Sequence, residues 1–187
     1  ISWRNSMFFL RKSTLERLPV VMSGVRMGER ALQIGVDDSD LVGAIGAKVG
    51  LSGHAAVVVA EERHADKVRD AAARAGALVD VQVAPLDALP SADETFDVVV
   101  LHAAGLKPHQ AGNQSVSILR DALRVLRGGG RLVIIEGSGG GLITRLRPAR
   151  VDTASTLSAL DAAGFLATRL LAEREGYAFF EGLKRGT

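Results

Sequence analysis

Four histidines, at His54, His64, His102 and His109, are spread along 187 residues that contain no cysteine. No two histidines stand four apart, so no helix face offers a pair of imidazoles, and no metal site is expected. The lack of cysteine excludes a disulfide scaffold, a thiolate metal centre and a thiol nucleophile. His102 closes an apolar run, and an imidazole there titrates near neutrality, which suits a general base. His54 and His64 fall before a strand and at a helix start, where surface roles are the default. Three carboxylates, Asp37, Asp38 and Asp40, crowd the start of another segment, where they suit a helix dipole. The run Gly137–Gly141, followed by Arg145 and Arg147, has the composition of a backbone-amide anion cradle or of a plain flexible loop. No Gly-Lys-[Ser/Thr] follows it, so it is not a P-loop. A nicotinamide dehydrogenase needs Gly-x-Gly-x-x-Gly after the first strand. Gly35-Val36-Asp37 breaks that pattern, and no Tyr-x-x-x-Lys pair is present, so this class is discarded.

The elements that must position these residues are legible from periodicity and punctuation. Ser13-x-x-Glu16 has the form of a capping box, and Val20–Val25 reads as a short apolar helix closing at Gly28. Strands are expected at Arg30–Gly35, Ala55–Ala60, Leu78–Val83, Phe96–His102 and Arg131–Glu136. Helices are expected at Leu41–Val49, Ala65–Ala75, Ser115–Leu126 and Thr153–Ala163. Gly128–Gly130 reads as a turn, and Ala167–Ala172 and Tyr177–Leu183 as a closing antiparallel hairpin. Continuous apolar strands alternating with helices imply a mostly parallel, doubly wound sheet of seven strands covered on both faces. In such sheets ligands sit beyond the carboxyl ends of the strands, where the strand order reverses. That directs attention to the loops after the first five strands.

Composition sets the outer bounds. Hydrophobic residues make up 47% and charged residues 24%, so the chain buries a core rather than staying disordered. Net charge is only +2, which gives no case for a nucleic-acid partner. Basic residues gather at the front, with Arg4, Arg11, Lys12, Arg17, Arg26 and Arg30 against Glu16 and Glu29. With Trp3, Phe8 and Phe9 nearby, this segment reads as a helix laid on the domain in preference to a membrane-surface or partner helix, and it is also the place where two chains of a homo-oligomer would pair. No apolar run approaches the roughly 20 residues needed to cross a bilayer. Residues 1–27 are expected to form an N-terminal helical extension and residues 28–187 a single domain, and a cytoplasmic location is expected.

Several of these segments carry a family resemblance. The stretch Phe96–His102, followed by a helix ending Leu123-Arg124-Val125-Leu126-Arg127-Gly128-Gly129-Gly130-Arg131-Leu132 and running into Val133–Glu136, resembles class I S-adenosylmethionine-dependent methyltransferases. It is most similar to the branch that contains the ubiquinone/menaquinone C-methyltransferases. Asp87-Ala88-Leu89-Pro90 with Phe96-Asp97, and Ala163-Gly164-Phe165, resemble further parts of the same family, so the likeness runs from about Val20 to Lys184. The resemblance implies a Rossmann-like methyltransferase fold, S-adenosylmethionine as cofactor and a small-molecule methyl acceptor.

The resemblance also implies where the cofactor would lie. Gly35, Val36 and Asp37 form the first loop. Glu61 and Glu62 stand at the end of the second strand, where a carboxylate accepts two ribose hydroxyls, and Glu61 is the better placed. In the third loop Pro85 stands at the family's acidic position beside the adenine, and Asp87, followed by Ala88, substitutes for it if the loop shifts. His102 falls between methyl donor and acceptor, and His109 further into the same loop. The first loop departs from the family's acidic residue and Gly-x-Gly-x-Gly, because Gln33, Asp37 and Ser39 replace the acid and two glycines. Two readings follow: an active enzyme, or a chain that keeps the fold as a binding or scaffold subunit without the cofactor.

Overall fold

Seven strands form one sheet in the order β3-β2-β1-β4-β5-β7-β6 in a computed structural model that describes residues 17–103, 112–137 and 152–186. The strands are β1 (Arg30–Ile34), β2 (His54–Val59), β3 (Val79–Val83), β4 (Phe96–His102), β5 (Leu126–Gly137), β6 (Leu166–Arg174) and β7 (Tyr177–Leu183). The helices are α1 (Leu18–Met22), α2 (Ser39–Val49), α3 (Glu62–Ala75), α4 (Gly112–Val125) and α5 (Thr153–Ala163). Strands β1 to β5 run parallel, and β7 inserts antiparallel between β5 and β6. The expected doubly wound sheet with a closing hairpin is therefore present. Its order reverses between β1 and β4, whose ends are in register at Ile34 and Leu101.

The period of two along each strand divides the core into two faces. Leu32, Ile34, Val99, Leu101, Leu132 and Ile134 point to one side and meet Ile118, Ala122 and Leu160 of α4 and α5. Ala31, Val98, Val100, Val133 and Ile135 point to the other and meet Leu41, Ile45 and Val49 of α2. Val20 and Val25, from α1 and the segment after it, are buried in that second cluster. Helices α2 and α3 touch through small residues. A Cβ added at Gly43 would stand 2.8 Å from the carbonyl oxygen of Ala71. Such contact explains an alanine-rich chain with few aromatics: backbones approach closely where side chains are short.

Several boundaries differ from the sequence-based expectation. Helix α1 is one turn at Leu18–Met22, with Pro19 in its first turn, rather than Val20–Val25 closing at Gly28. The chain leaves it through Gly24 at φ 67°. Helix α3 starts at Glu62, three residues early, which moves Glu62 from the loop into a helical turn. Helix α4 ends at Val125. The glycines 128–130 are not a free turn but part of the long β5. The main-chain N–H of Gly129 donates to the Lys184 carbonyl and the Lys184 N–H to that of Gly130, so an edge of β7 holds them. The capping box at Ser13, His109, and the glycine run beyond Gly137 with Arg145, Arg147 and Arg150 lie outside the described residues.

Candidate active site

The carboxyl edge of the sheet assembles the expected loops. Gly35 follows β1 with φ at +75°, and its N–H donates to the Val58 carbonyl. A Cβ at this position would lie 3.2 Å from the carbonyl oxygen of His102, so only glycine lets the first loop pass β4 so closely. Asp38 then caps α2, its Oδ1 accepting from the N–H groups of Asp40 (3.0 Å) and Leu41 (3.2 Å). Arg17, just before α1, donates to its other oxygen at 2.7 Å. Burial pushes the Asp38 carboxyl up, but Arg17 and the cap hydrogen bonds outweigh it and hold the group below its ordinary value. The three acidic residues are thus not a bare negative cluster: Asp38 caps and pairs with Arg17, and Asp40 pairs with Arg74 of α3 at 2.6 Å.

Glu61 occupies the position just before α3, at the end of β2, with its side chain half exposed. Its carboxylate pairs with Arg63 at 2.7 Å across open surface, an arrangement that costs little to open. Glu62 instead faces along α3 and pairs with Arg69. Asp87 and Ala88 are exposed in the loop after β3, which turns with the Ala88 N–H donating to the Pro85 carbonyl. That loop is clamped from α4. Arg124 donates to Asp121 (2.6 Å), Asp93 (2.7 Å) and the carbonyls of Ser91 (2.8 Å) and Leu89 (3.1 Å). The hydrogen bonds to the Asp121 and Asp93 carboxylates raise the Arg124 guanidinium further above its ordinary value. Leu86 of the same loop packs on the core and comes within 4.0 Å of where a Gly35 Cβ would be, so the first and third loops are neighbours.

His102 is not an exposed loop residue. It is 1% exposed, on the face of the sheet covered by α2, and one of its ring nitrogens meets a buried glutamine. Burial pushes its pKa down to about 4, against a weaker upward pull from the Asp38 charge. At neutral pH it is an uncharged imidazole. It lines a cavity of about 190 Å³ together with Arg17, Asp37, Asp38, Leu41, Ile135, Gly137 and Tyr177. This is smaller than the roughly 300–1,000 Å³ of sites that enclose a drug-sized ligand, so it takes one group of a larger molecule.

The structure therefore brings Gly35, Val36, Asp37 and His102 to one corner, with Asp87 and Ala88 next to it and Glu61 at the neighbouring strand end. Glu62 is turned away onto α3. Sequence reasoning missed Arg17, Leu41, Ile135 and Tyr177 as cavity wall, because they come from four separate elements. It recorded Gln33 only as a departure from a motif. A lone amide inside the apolar strand Arg30–Ile34 was the available signal, since a buried amide needs partners.

A parallel sheet in this strand order, with an antiparallel seventh strand and a ligand edge at the β1/β4 reversal, defines the Rossmann-like methyltransferase class. A family model described as a methyltransferase domain matches residues 45–134. A ubiquinone/menaquinone biosynthesis C-methyltransferase from Idiomarina loihiensis is 36% identical over 131 residues, 66% of this chain and 48% of that protein. The chain spans about half the length of the curated relatives it matches. A S-adenosylmethionine-dependent methyltransferase structure from Aquifex aeolicus superposes with a TM-score of 0.65 at 17% identity, over 88% of this chain and 85% of that one. A S-adenosylmethionine-dependent O-methyltransferase from Thermotoga maritima gives 0.66 at 16%, over 89% and 63%. In fold, and in sequence over its central part, the chain is similar to the class I S-adenosylmethionine-dependent methyltransferases.

Proposed function

We propose that this chain transfers a methyl group from S-adenosylmethionine to a small-molecule acceptor. The observation that carries the reading is the carboxyl edge itself: a glycine that only a bare backbone fits, a freely reachable carboxylate at the next strand end, and a cavity beyond the reversal point. These residues fit the cofactor. Gly35 and Val36 leave a path for it over β1, and Glu61 offers two acceptor oxygens to vicinal hydroxyls. The Asp87–Ala88 turn, braced by Arg124, walls the base. Asp37 and the paired Arg17 and Asp38 present both signs of charge to the amino-acid end, which itself carries both. Bound there, the cofactor supplies a sulfonium methyl, whose displacement depends mainly on proximity and alignment.

The cavity supplies the alignment. Leu41, Ile135 and Tyr177 give its wall an apolar side that favours a ring-bearing group, and His102 stands with Arg17, Asp37 and Asp38 on its polar side. A neutral imidazole held near pKa 4 is a poor proton sink at pH 7, so His102 serves to orient a hydrogen-bond donor rather than to strip a proton in bulk. A cavity of this size receives the reacting group of a small acceptor.

Calorimetric titration of the purified chain with S-adenosylmethionine and S-adenosylhomocysteine tests the reading. Micromolar binding of both is the expected result. Silence up to millimolar ligand, from protein shown to be folded, would refute it and leave a fold kept as a scaffold without its chemistry.

A further inference from the structure

The two buried polar side chains under the N-terminal half of α2 determine each other's state. Gln33 donates its Nε2 to the main-chain carbonyl of Val42 at 2.9 Å. A carbonyl oxygen only accepts, so the amide cannot be flipped, and its Oε1 must be the atom that faces His102 at 3.0 Å. Oε1 in turn only accepts, so the facing Nε2 of His102 carries the proton. The ring is neutral, and one proton is all it has. Nδ1 is therefore a bare lone pair. It is buried and has no hydrogen-bond partner among the described residues, while His102 is one of the residues that line the 190 Å³ cavity. An acceptor left unmatched inside a protein carries a free-energy penalty unless a ligand or water supplies a donor.

We propose that Gln33 is a positioning residue. By holding the Nε2–H of His102 it fixes the imidazole in one tautomer, so that Nδ1 is left as a buried acceptor beside the cavity, for an O–H or N–H of a ligand that enters it. The carboxylate that the family resemblance leads one to expect at position 33 would do the opposite. A buried carboxylate beside the ring favours imidazolium, and Nδ1 would then carry a proton and donate. The amide thus selects the ligand by chemistry. It admits a hydroxyl or an amine and rejects a group that only accepts, such as an ether or carbonyl oxygen. The choice of donor group rests on the methyltransferase reading, which offers two sources: a hydroxyl on the methyl acceptor, or the amino group of the cofactor's amino-acid end.

Long-range proton–nitrogen NMR of the 15N-histidine-labelled chain reads the tautomer directly. The wild type should show His102 as a single neutral form from pH 5.5 to 8, with Nε2 protonated and Nδ1 bare. A protonated Nδ1, or averaged nitrogens, in the wild type would overturn the proposal whatever the variants do. Gln33→Glu should protonate both nitrogens at pH 6, and Gln33→Leu should let the two tautomers mix. Thermal melts confirm that each variant is folded.

S-adenosylhomocysteine and phenol are then titrated separately. A shift of Nδ1 with S-adenosylhomocysteine assigns the amine, and a shift with phenol the hydroxyl. No Nδ1 shift with either, while calorimetry shows S-adenosylhomocysteine bound, would overturn the ligand contact and leave the methyltransferase reading intact. The absence of any S-adenosylhomocysteine binding, with the wild-type tautomer as described and phenol moving Nδ1, would sink the methyltransferase reading alone.

Discussion

Lowering the pH from 7 to 5 should destabilise this protein through one side chain. His102 is buried with its pKa pushed down to about 4, whereas a histidine in the unfolded chain titrates near 6.5. Between those values the unfolded chain holds a proton that the folded chain does not. Stability therefore rises with pH across the window and is lost as the pH falls through it. At pH 5 the unfolded imidazole is almost fully charged and the folded one scarcely so, which places the loss relative to pH 7 at about 2 kcal/mol. The assay is urea unfolding followed by circular dichroism at pH 7 and 5, for the wild type and for His102→Asn. Asparagine keeps an N–H for Gln33 Oε1 and cannot titrate. Of the other shifted groups facing this corner, Arg17 is raised and stays charged throughout, and Asp38 has a lowered pKa, so its contribution is present above the ordinary carboxylate value and lost only below it, outside the window. The wild type should lose about 2 kcal/mol more than the variant between the two pH values, with the urea slope unchanged. Equal losses in the two proteins would refute a neutral, buried His102.

Three further substitutions probe the edge of the sheet. Gly35→Ala places a Cβ at φ +75° and 3.2 Å from the His102 carbonyl, and should lower stability by roughly 1–3 kcal/mol. An unshifted thermal melt would show that the backbone there is not under the constraint described. Glu61→Ala should leave stability within about 0.5 kcal/mol, because its side chain is exposed and its pairing with Arg63 is weak. It should nonetheless cut S-adenosylhomocysteine affinity by roughly 10- to 100-fold, the worth of a charge-assisted hydrogen-bond pair, and an unchanged titration would remove Glu61 from the ribose position. Arg124→Lys keeps the charge but loses the planar fork that reaches Asp121, Asp93 and two carbonyls at once. It should cost roughly 1–2 kcal/mol, with faster hydrogen exchange confined to residues 85–95; uniform exchange across the chain would argue against a local clamp.

The order of elements was legible because each carries a local signal. Phe96–His102 and Tyr177–Leu183 coincide with the strands found, and Thr153–Ala163 with the helix, since apolar runs and a glycine stop need only neighbours in sequence. Gly164 does end α5 in the left-handed conformation expected of it. The glycines 128–130 misled for the complementary reason. Local chemistry reads three glycines as a turn, and the partner that draws them into β5 is Lys184, more than fifty residues away. Helix α3 starts early because the main-chain carbonyl of Glu61 already accepts from the N–H groups of His64 and Ala65, which hydrophobic periodicity does not register.

What the amino-acid sequence determines by itself is the alternation of strands and helices, hence a doubly wound sheet, its ligand edge and the loops that meet there. Those follow from periodicity and from glycine and proline at breaks, which are properties of contiguous residues. Tertiary structure alone decides the chemistry of that edge. Gln33 and His102 lie 69 positions apart, and only parallel pairing of β1 with β4 sets their side chains on one face within hydrogen-bond reach. Arg17, Leu41, Ile135 and Tyr177 become one wall only when four elements converge. The protonation state of an imidazole depends on what surrounds it in space. A histidine that looks like a base in the sequence is, once buried beside an amide, an acceptor held in place.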